Sequence, residues 1–160
     1  MAASIFDTLQ QQLVPAAGAA TLTHALLAFV LTPEELLPVV QRLKGEFQFD
    51  MFLDVTAVDW PGQALRFEVV HHFYSTLHKV RVRLKTRVGE ADPSVDSLVP
   101  LYGSAAFMER ECHDMYGIRF RGNHDLRPIL LYEGFVGHPL RKDYPKQQEQ
   151  PLVPYRDAPR

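Results

Sequence analysis

The chain has 160 residues, 46% apolar and 22% charged, enough for one domain with a sizeable core and too few for two comfortable ones. The net charge is −2, and residues 1–80 hold 4 Lys/Arg against 8 Asp/Glu while residues 81–160 hold 13 against 11, a polarity that favours protein partners over nucleic acid. Cys112 is the only cysteine, which excludes an intrachain disulfide, a Cys-rich zinc site and a four-cysteine iron–sulfur cluster.

Ser4 is expected to cap a short helix with Ile5, Leu9 and Leu13 on one face, ended by Pro15 and Gly18. A strand buried on both faces is predicted from Thr21 to Leu31, and its apolar run, Ala25 to Leu31, is far short of the roughly 20 residues of a bilayer span. The first Lys or Arg is Arg42, so neither a secretory signal nor an Arg-rich transit peptide is expected, and the chain reads as intracellular. Thr32-Pro33-Glu34-Glu35 predicts a helix start, followed by a stripe of Leu36, Val40 and Leu43 and a kink at Pro38.

From Asp50 to Val58, Met51, Leu53, Val55 and Ala57 alternate with polar residues as in a half-buried strand, which Trp60-Pro61-Gly62 breaks. Residues 66–88 predict an antiparallel hairpin. Phe67, Val69, His71 and Phe73 share one face of its first strand. The second carries Val80, Val82, Leu84 and Thr86 on one side and Lys79, Arg81, Arg83, Lys85 and Arg87 on the other. Asp92-Pro93-Ser94 suggests a helical turn, and Ser104 a longer helix to Tyr116, closed by Gly117. The order predicts an α+β fold with a mixed or antiparallel sheet and helices on one face. It is expected as a single domain over 1–144 with an extended Pro-rich tail over 145–160.

Three groups invite chemical readings. His71, His72 and His78 suggest a metal site, but adjacent strand residues point to opposite faces, and a satisfied semi-buried His71 is expected instead. Glu109, Glu111 and Asp114 with His113 suggest acid–base work, and Cys112 a nucleophile. Successive helical residues diverge by about 100°, however, and no adjacent base is evident, so an ion-pair network with Arg110 and Asp114 paired at i,i+4 is expected. The glycines at 117, 122, 134 and 137 match no phosphate-cradling loop. The basic row 79–87 reads as a solvated strand face, a nucleic-acid surface or a contact for an acidic protein.

Glu109-Arg110-Glu111-Cys112-His113-Asp114, then Met115-Tyr116-Gly117-Ile118, Phe120, Gly122, Asp125-Leu126-Arg127, Ile129-Leu130-Leu131 and Pro139-Leu140-Arg141-Lys142-Asp143-Tyr144-Pro145, form a signature. It resembles that of the thirty-kilodalton subunit, also called the C subunit, of NADH:quinone oxidoreductase, respiratory complex I. Where that family has Gly-His-Pro-Asp-Leu-Arg-Arg, this chain has Gly122-Asn123-His124-Asp125-Leu126-Arg127-Pro128. The resemblance implies an accessory hydrophilic-arm subunit, peripheral on the cytoplasmic face of the bacterial plasma membrane, in contact with the large subunit that helps form the quinone pocket.

It also implies that no cofactor is bound by this chain, with FMN, iron–sulfur clusters and quinone held by other subunits. The equivalent subunit of a nickel–iron hydrogenase-type complex is the alternative within this class, and a nucleic-acid module using the basic strand is the alternative outside it. The signature is then expected to be an interface in which Glu109 or Glu111 meets Arg119, Arg121 or Arg127, and the tail lies over neighbouring subunits.

Overall fold

A computed structural model describes residues 5–13, 20–23 and 26–147. The expected cap at Ser4, the stop at Pro15 and Gly18, and the tail beyond residue 147 lie outside the described residues. Helix α1 (Ile5–Leu13) buries Leu9 and Leu13, in line with its apolar spacing.

The stretch 21–31 that suggested one strand falls in two, β1 (Ala20–Thr23) and β2 (Leu26–Leu31), paired antiparallel with Thr23 opposite Leu26. Nor is β2 buried on both faces. Leu27, Phe29 and Leu31 point into the core while Val30 is 40% exposed. The unbroken apolar run Ala25–Leu31 shows no period, so it hides the open face of β2.

Helix α2 (Pro33–Gly45) starts as expected, the Glu35 carboxylate accepting the Thr32 N–H at 2.7 Å. It is continuous through Pro38, which leaves one backbone hydrogen bond unmade. Three strands follow, β3 (Met51–Asp59), β4 (Phe67–Ser75) and β5 (Val80–Val88), β4 pairing antiparallel with both others. β2 joins β5 in parallel, giving a five-stranded mixed sheet in the order β1-β2-β5-β4-β3.

A register shift between Phe52 and Asp54 reverses the expected phase of early β3. Phe52, not Met51 or Leu53, enters the core, while Val55 and Ala57 stay on the inner face. The expected helical turn at Ser94 is instead a strand, β6 (Ser94–Asp96), pairing in parallel with β7 (Arg119–Arg121) from beyond helix α3 (Ala105–Tyr116). A three-residue strand held by a partner so distant leaves no local pattern.

Helix α2 packs on β2 and β5 and α3 on β3, enclosing a core that includes Phe29, Phe49, Phe67, Phe73 and Phe120. Each buried Phe contributes about 1.5–3 kcal/mol of hydrophobic stabilisation. Among the described residues no helix is long and apolar enough to cross a membrane.

His71 departs from expectation. It is fully buried near the Phe52 ring, and neither ring nitrogen has a hydrogen-bond partner among the described residues. Burial, helped by the neighbouring His72, pulls its pKa down to about 3. His72, on the opposite face, bonds Asp54 at 2.5 Å and accepts from Arg83 at 2.7 Å.

A folded-state pKa below the unfolded value of about 6.5 means that the unfolded chain binds the extra proton. Stability from this group is therefore complete above pH 6.5 and falls as pH drops toward 3. Chemical denaturation at pH 5 and pH 7.5 is expected to show about 2 kcal/mol of difference from this source, absent in His71→Leu. A variant with the same pH slope as the parent would reject it.

Candidate docking surface

The signature begins on α3, whose spacing splays its acids to separate partners. Glu109 is fully buried, with Oε1 accepting the Leu98 N–H at 2.7 Å and Oε2 the Ser97 hydroxyl at 2.8 Å and the Asn123 amide at 2.9 Å. Burial raises its pKa despite those three donors. The expected pairing of Glu109 or Glu111 with Arg119, Arg121 or Arg127 does not form. Glu109 is filled by neutral donors, Glu111 is exposed, and the three arginines pair with Asp92, Asp96 and Asp125.

The i,i+4 pair of Arg110 and Asp114 does not form either. Asp114 turns inward, and its Oδ2 accepts the N–H groups of Ile129, Leu130 and Leu131 at 2.7, 2.9 and 3.3 Å. Burial alone would raise its pKa, but these three donors outweigh it and hold the carboxyl below its usual range. Arg110 grips the same loop by its carbonyls, donating from Nε to Arg127 and from Nη2 to Pro128, both at 2.9 Å, with Asp125 at 3.9 Å. A helical ion pair is worth about 0.3–0.5 kcal/mol, less than charge-assisted bonds to a backbone that needs partners.

The end of α3 is closed by the last part of the signature. The four carbonyls from His113 to Tyr116 are taken by Gly117 N–H, the His138 ring, Leu140 N–H and Arg141 Nε, at 2.6–3.1 Å. Gly117 has φ 75°, and a Cβ there would sit 2.5 Å from both His138 Nε2 and Arg141 Nη2. Only glycine meets both demands.

The Pro139–Pro145 element is tied to the sheet by residues with no individual signal in the sequence. Asp59, the last residue of β3, forms a bidentate pair with Arg66 at 2.8 and 2.9 Å and accepts Lys142 N–H at 2.7 Å. Arg66 also reaches Asp143 at 2.9 Å and Glu90 at 2.6 Å. Arg66 and Arg141 lie over the Phe67 ring at 5.0 and 4.9 Å. The hydrogen bonds with Arg66 hold Asp59 below the usual carboxylate range. The one available hint was position, since the two charges flank the Trp60-Pro61-Gly62 break.

Gly122, at φ 93°, turns the chain after β7, and Leu126 packs against the core. Outward from this polar frame point Ile129, Leu130, Tyr132, Val136 and Leu140, all exposed, with Phe107 exposed on α3. The hollow between α3 and the loop, lined in part by His113, Asp114, Leu131 and His138, has a volume of about 140 Å³. Cys112 is buried and its thiol pKa is pushed up, by burial first and then by Glu109 and Glu111.

Residues 29–150 match the family model described as respiratory-chain NADH dehydrogenase, 30 Kd subunit. The chain belongs to this family. It is 46% identical over 114 residues to the NADH-quinone oxidoreductase C subunit of Citrifermentans bemidjiense, covering 71% of each chain. It is 44% identical over 128 residues to the C subunit of Agrobacterium fabrum, covering 79% of this chain and 64% of that one. The mitochondrial NADH dehydrogenase [ubiquinone] iron-sulfur protein 3 of Candida albicans is 44% identical over 121 residues, covering 74% of this chain and 43% of that protein.

Among solved structures, a trypsin-resistant fragment of Nqo5 matches with TM-score 0.69 at 25% identity, covering 78% of this chain and all of the fragment. An archaeal membrane-bound sulfane sulfur reductase complex contains a chain of the same fold, TM-score 0.76 at 24% identity, covering 88% and 86%. In this chain the departures at 123 and 128 are absorbed locally. Asn123 bridges Glu109 and the Asp125 N–H, and Pro128 offers its carbonyl to Arg110. His124 is exposed.

Proposed function

We propose that this chain is an accessory subunit of the hydrophilic arm of a proton-translocating NADH:quinone oxidoreductase. It supports electron transfer from NADH to quinone without chemistry of its own. FMN, iron–sulfur clusters and quinone sit on other chains, and the subunit lies peripherally on the cytoplasmic face of the plasma membrane. Its docking surface is the 109–145 block, turned toward the large quinone-site subunit, with residues 1–144 as the domain and 145–160 laid over neighbours.

One observation carries this reading. The block turns His138, Arg141 and the N–H groups of residues 129–131 and 142 inward, onto α3 carbonyls, Asp114 and Asp59, and leaves large side chains at 129, 130, 132, 136 and 140 facing out. Glu109 and Asp114, each with three donors, and a thiol with a raised pKa suit a frame better than a catalyst.

Arg110→Ala tests it in the host membrane. The amount of assembled, flavin-containing enzyme is expected to fall several-fold, with NADH:quinone turnover per flavin close to the parent's. Full assembly of an inactive enzyme would sink the scaffold reading. Co-purification with a nickel–iron large subunit in place of flavin and iron–sulfur subunits would move the chain to the hydrogenase-type alternative.

A further inference from the structure

The sheet face opposite the core carries two parallel ridges of unlike chemistry. Register sets Leu26 beside Arg81, Ala28 beside Arg83 and Val30 beside Lys85. An apolar ridge about 13 Å long thus runs about 4.8 Å from a cationic one. The groove along them has a volume of about 830 Å³, and its lining includes Lys79, Arg81, Arg83 and Lys85 and, among the described residues, no acidic side chain.

The fold neutralises this charge only in part. Lys85 meets Glu68 at 3.0 Å, and Arg83 commits its Nε to His72. Lys79 and Arg81 are exposed and have no acidic partner among the described residues. None of the groove's lining belongs to the 109–145 block.

We propose that this groove receives an acidic, amphipathic segment of a partner polypeptide. The segment lies lengthwise, its carboxylates on Lys79, Arg81 and Arg83 and its apolar side chains on Leu26, Ala28 and Val30. Cations on every second residue of β5 repeat at roughly 6.6 Å, the spacing of alternate residues in a strand and close to the 6 Å of an i,i+4 pair on a helix. A single anionic headgroup would engage one end of such a ridge. Nucleic acid would match its charge but leave the apolar ridge uncovered. The inference rests on the proposed function only in taking the chain to work inside a multi-subunit complex.

Carbodiimide, which couples amines to carboxylates in contact, tests this in the purified complex. Lys79 is expected to couple to an Asp or Glu of another subunit, in a segment whose acidic and apolar residues recur at strand or helix period. Arg81→Glu, which keeps Lys79 as the reporter, is expected to weaken that coupling at Lys79 at least 10-fold. Arg81 is exposed, so the thermal midpoint of the isolated chain should stay within about 2 °C.

A chain that co-purifies with redox subunits, yet keeps Lys79 as reactive toward acetylation as in the isolated chain, overturns the groove and leaves the proposed function standing. Coupling confined to Glu68 of the same chain does so too, as does protection that vanishes with nuclease or with removal of lipid. A chain that co-purifies with no partner overturns both.

Discussion

Asp59→Ala is expected to cost about 3–5 kcal/mol of stability, because it leaves the buried Arg66 guanidinium without its main counter-charge. The Asp59 side chain is fully buried and that of Arg66 is 8% exposed, so water cannot replace the lost partner cheaply. In a domain of this size the melting temperature should fall by roughly 10 °C. Asp143 and Glu90, both largely exposed, compensate little.

Arg66→Ala should cost a similar amount and strand the carboxylate instead. In a double-mutant cycle the coupling should exceed about 2 kcal/mol, and a value below about 1 kcal/mol would mean that the two charges act independently. Because the pair holds Asp59 below its unfolded pKa, the stabilisation is complete above pH 3.8 and disappears as pH falls through the lower folded value. The parent's advantage over Asp59→Asn should therefore vanish only in acid. The same pair holds Lys142 N–H and Asp143, so the Pro139–Pro145 element should loosen with it.

Asp114→Ala is expected to release the loop rather than unfold the domain. Three consecutive N–H groups lose one acceptor, and hydrogen bonds to a charged group are worth about 1.5–3 kcal/mol each. These amides lie near the surface and regain water, so the net local effect is about 3 kcal/mol. That corresponds to a roughly 100-fold loss of hydrogen-exchange protection at Ile129, Leu130 and Leu131. The sheet amides should keep their protection. Asp114→Asn, whose amide oxygen still accepts, should fall between, and unchanged exchange in the alanine variant would show that the loop is held by other contacts. Assembly into the complex should fall with loop order, since a loosened loop must be ordered again on docking.

Much of the architecture was readable along the chain because it is encoded within a few residues. The Thr32–Glu35 box, Gly117 as the left-handed cap and the two-residue period of the 66–88 hairpin each rest on local sterics or hydrogen bonds. The open face of β2 was not readable, since the continuous apolar run Ala25–Leu31 has no period. Neither was the β6–β7 pair, whose partners lie on either side of α3. The depth of His71 is hidden from the sequence for a related reason. Its strand position fixed which way it points, but burial depth depends on what packs above it, and that includes Phe52, placed by a bulge in another strand.

The signature from Glu109 to Pro145 was itself plain in the sequence, and so were the family it indicates and the divergence of its acids around α3. Only the tertiary structure decided where each charge goes. Glu109 turns to Leu98, Ser97 and Asn123, Asp114 to the loop at 129–131, and Arg110 to the carbonyls of Arg127 and Pro128. Asp59, 83 positions before Lys142, holds the final element. The reason is energetic. Sequence spacing reveals pairs worth a few tenths of a kcal/mol on a helix surface, whereas buried backbone groups and desolvated charges each cost several if left unpaired, and these choose the partners once the chain has closed around them.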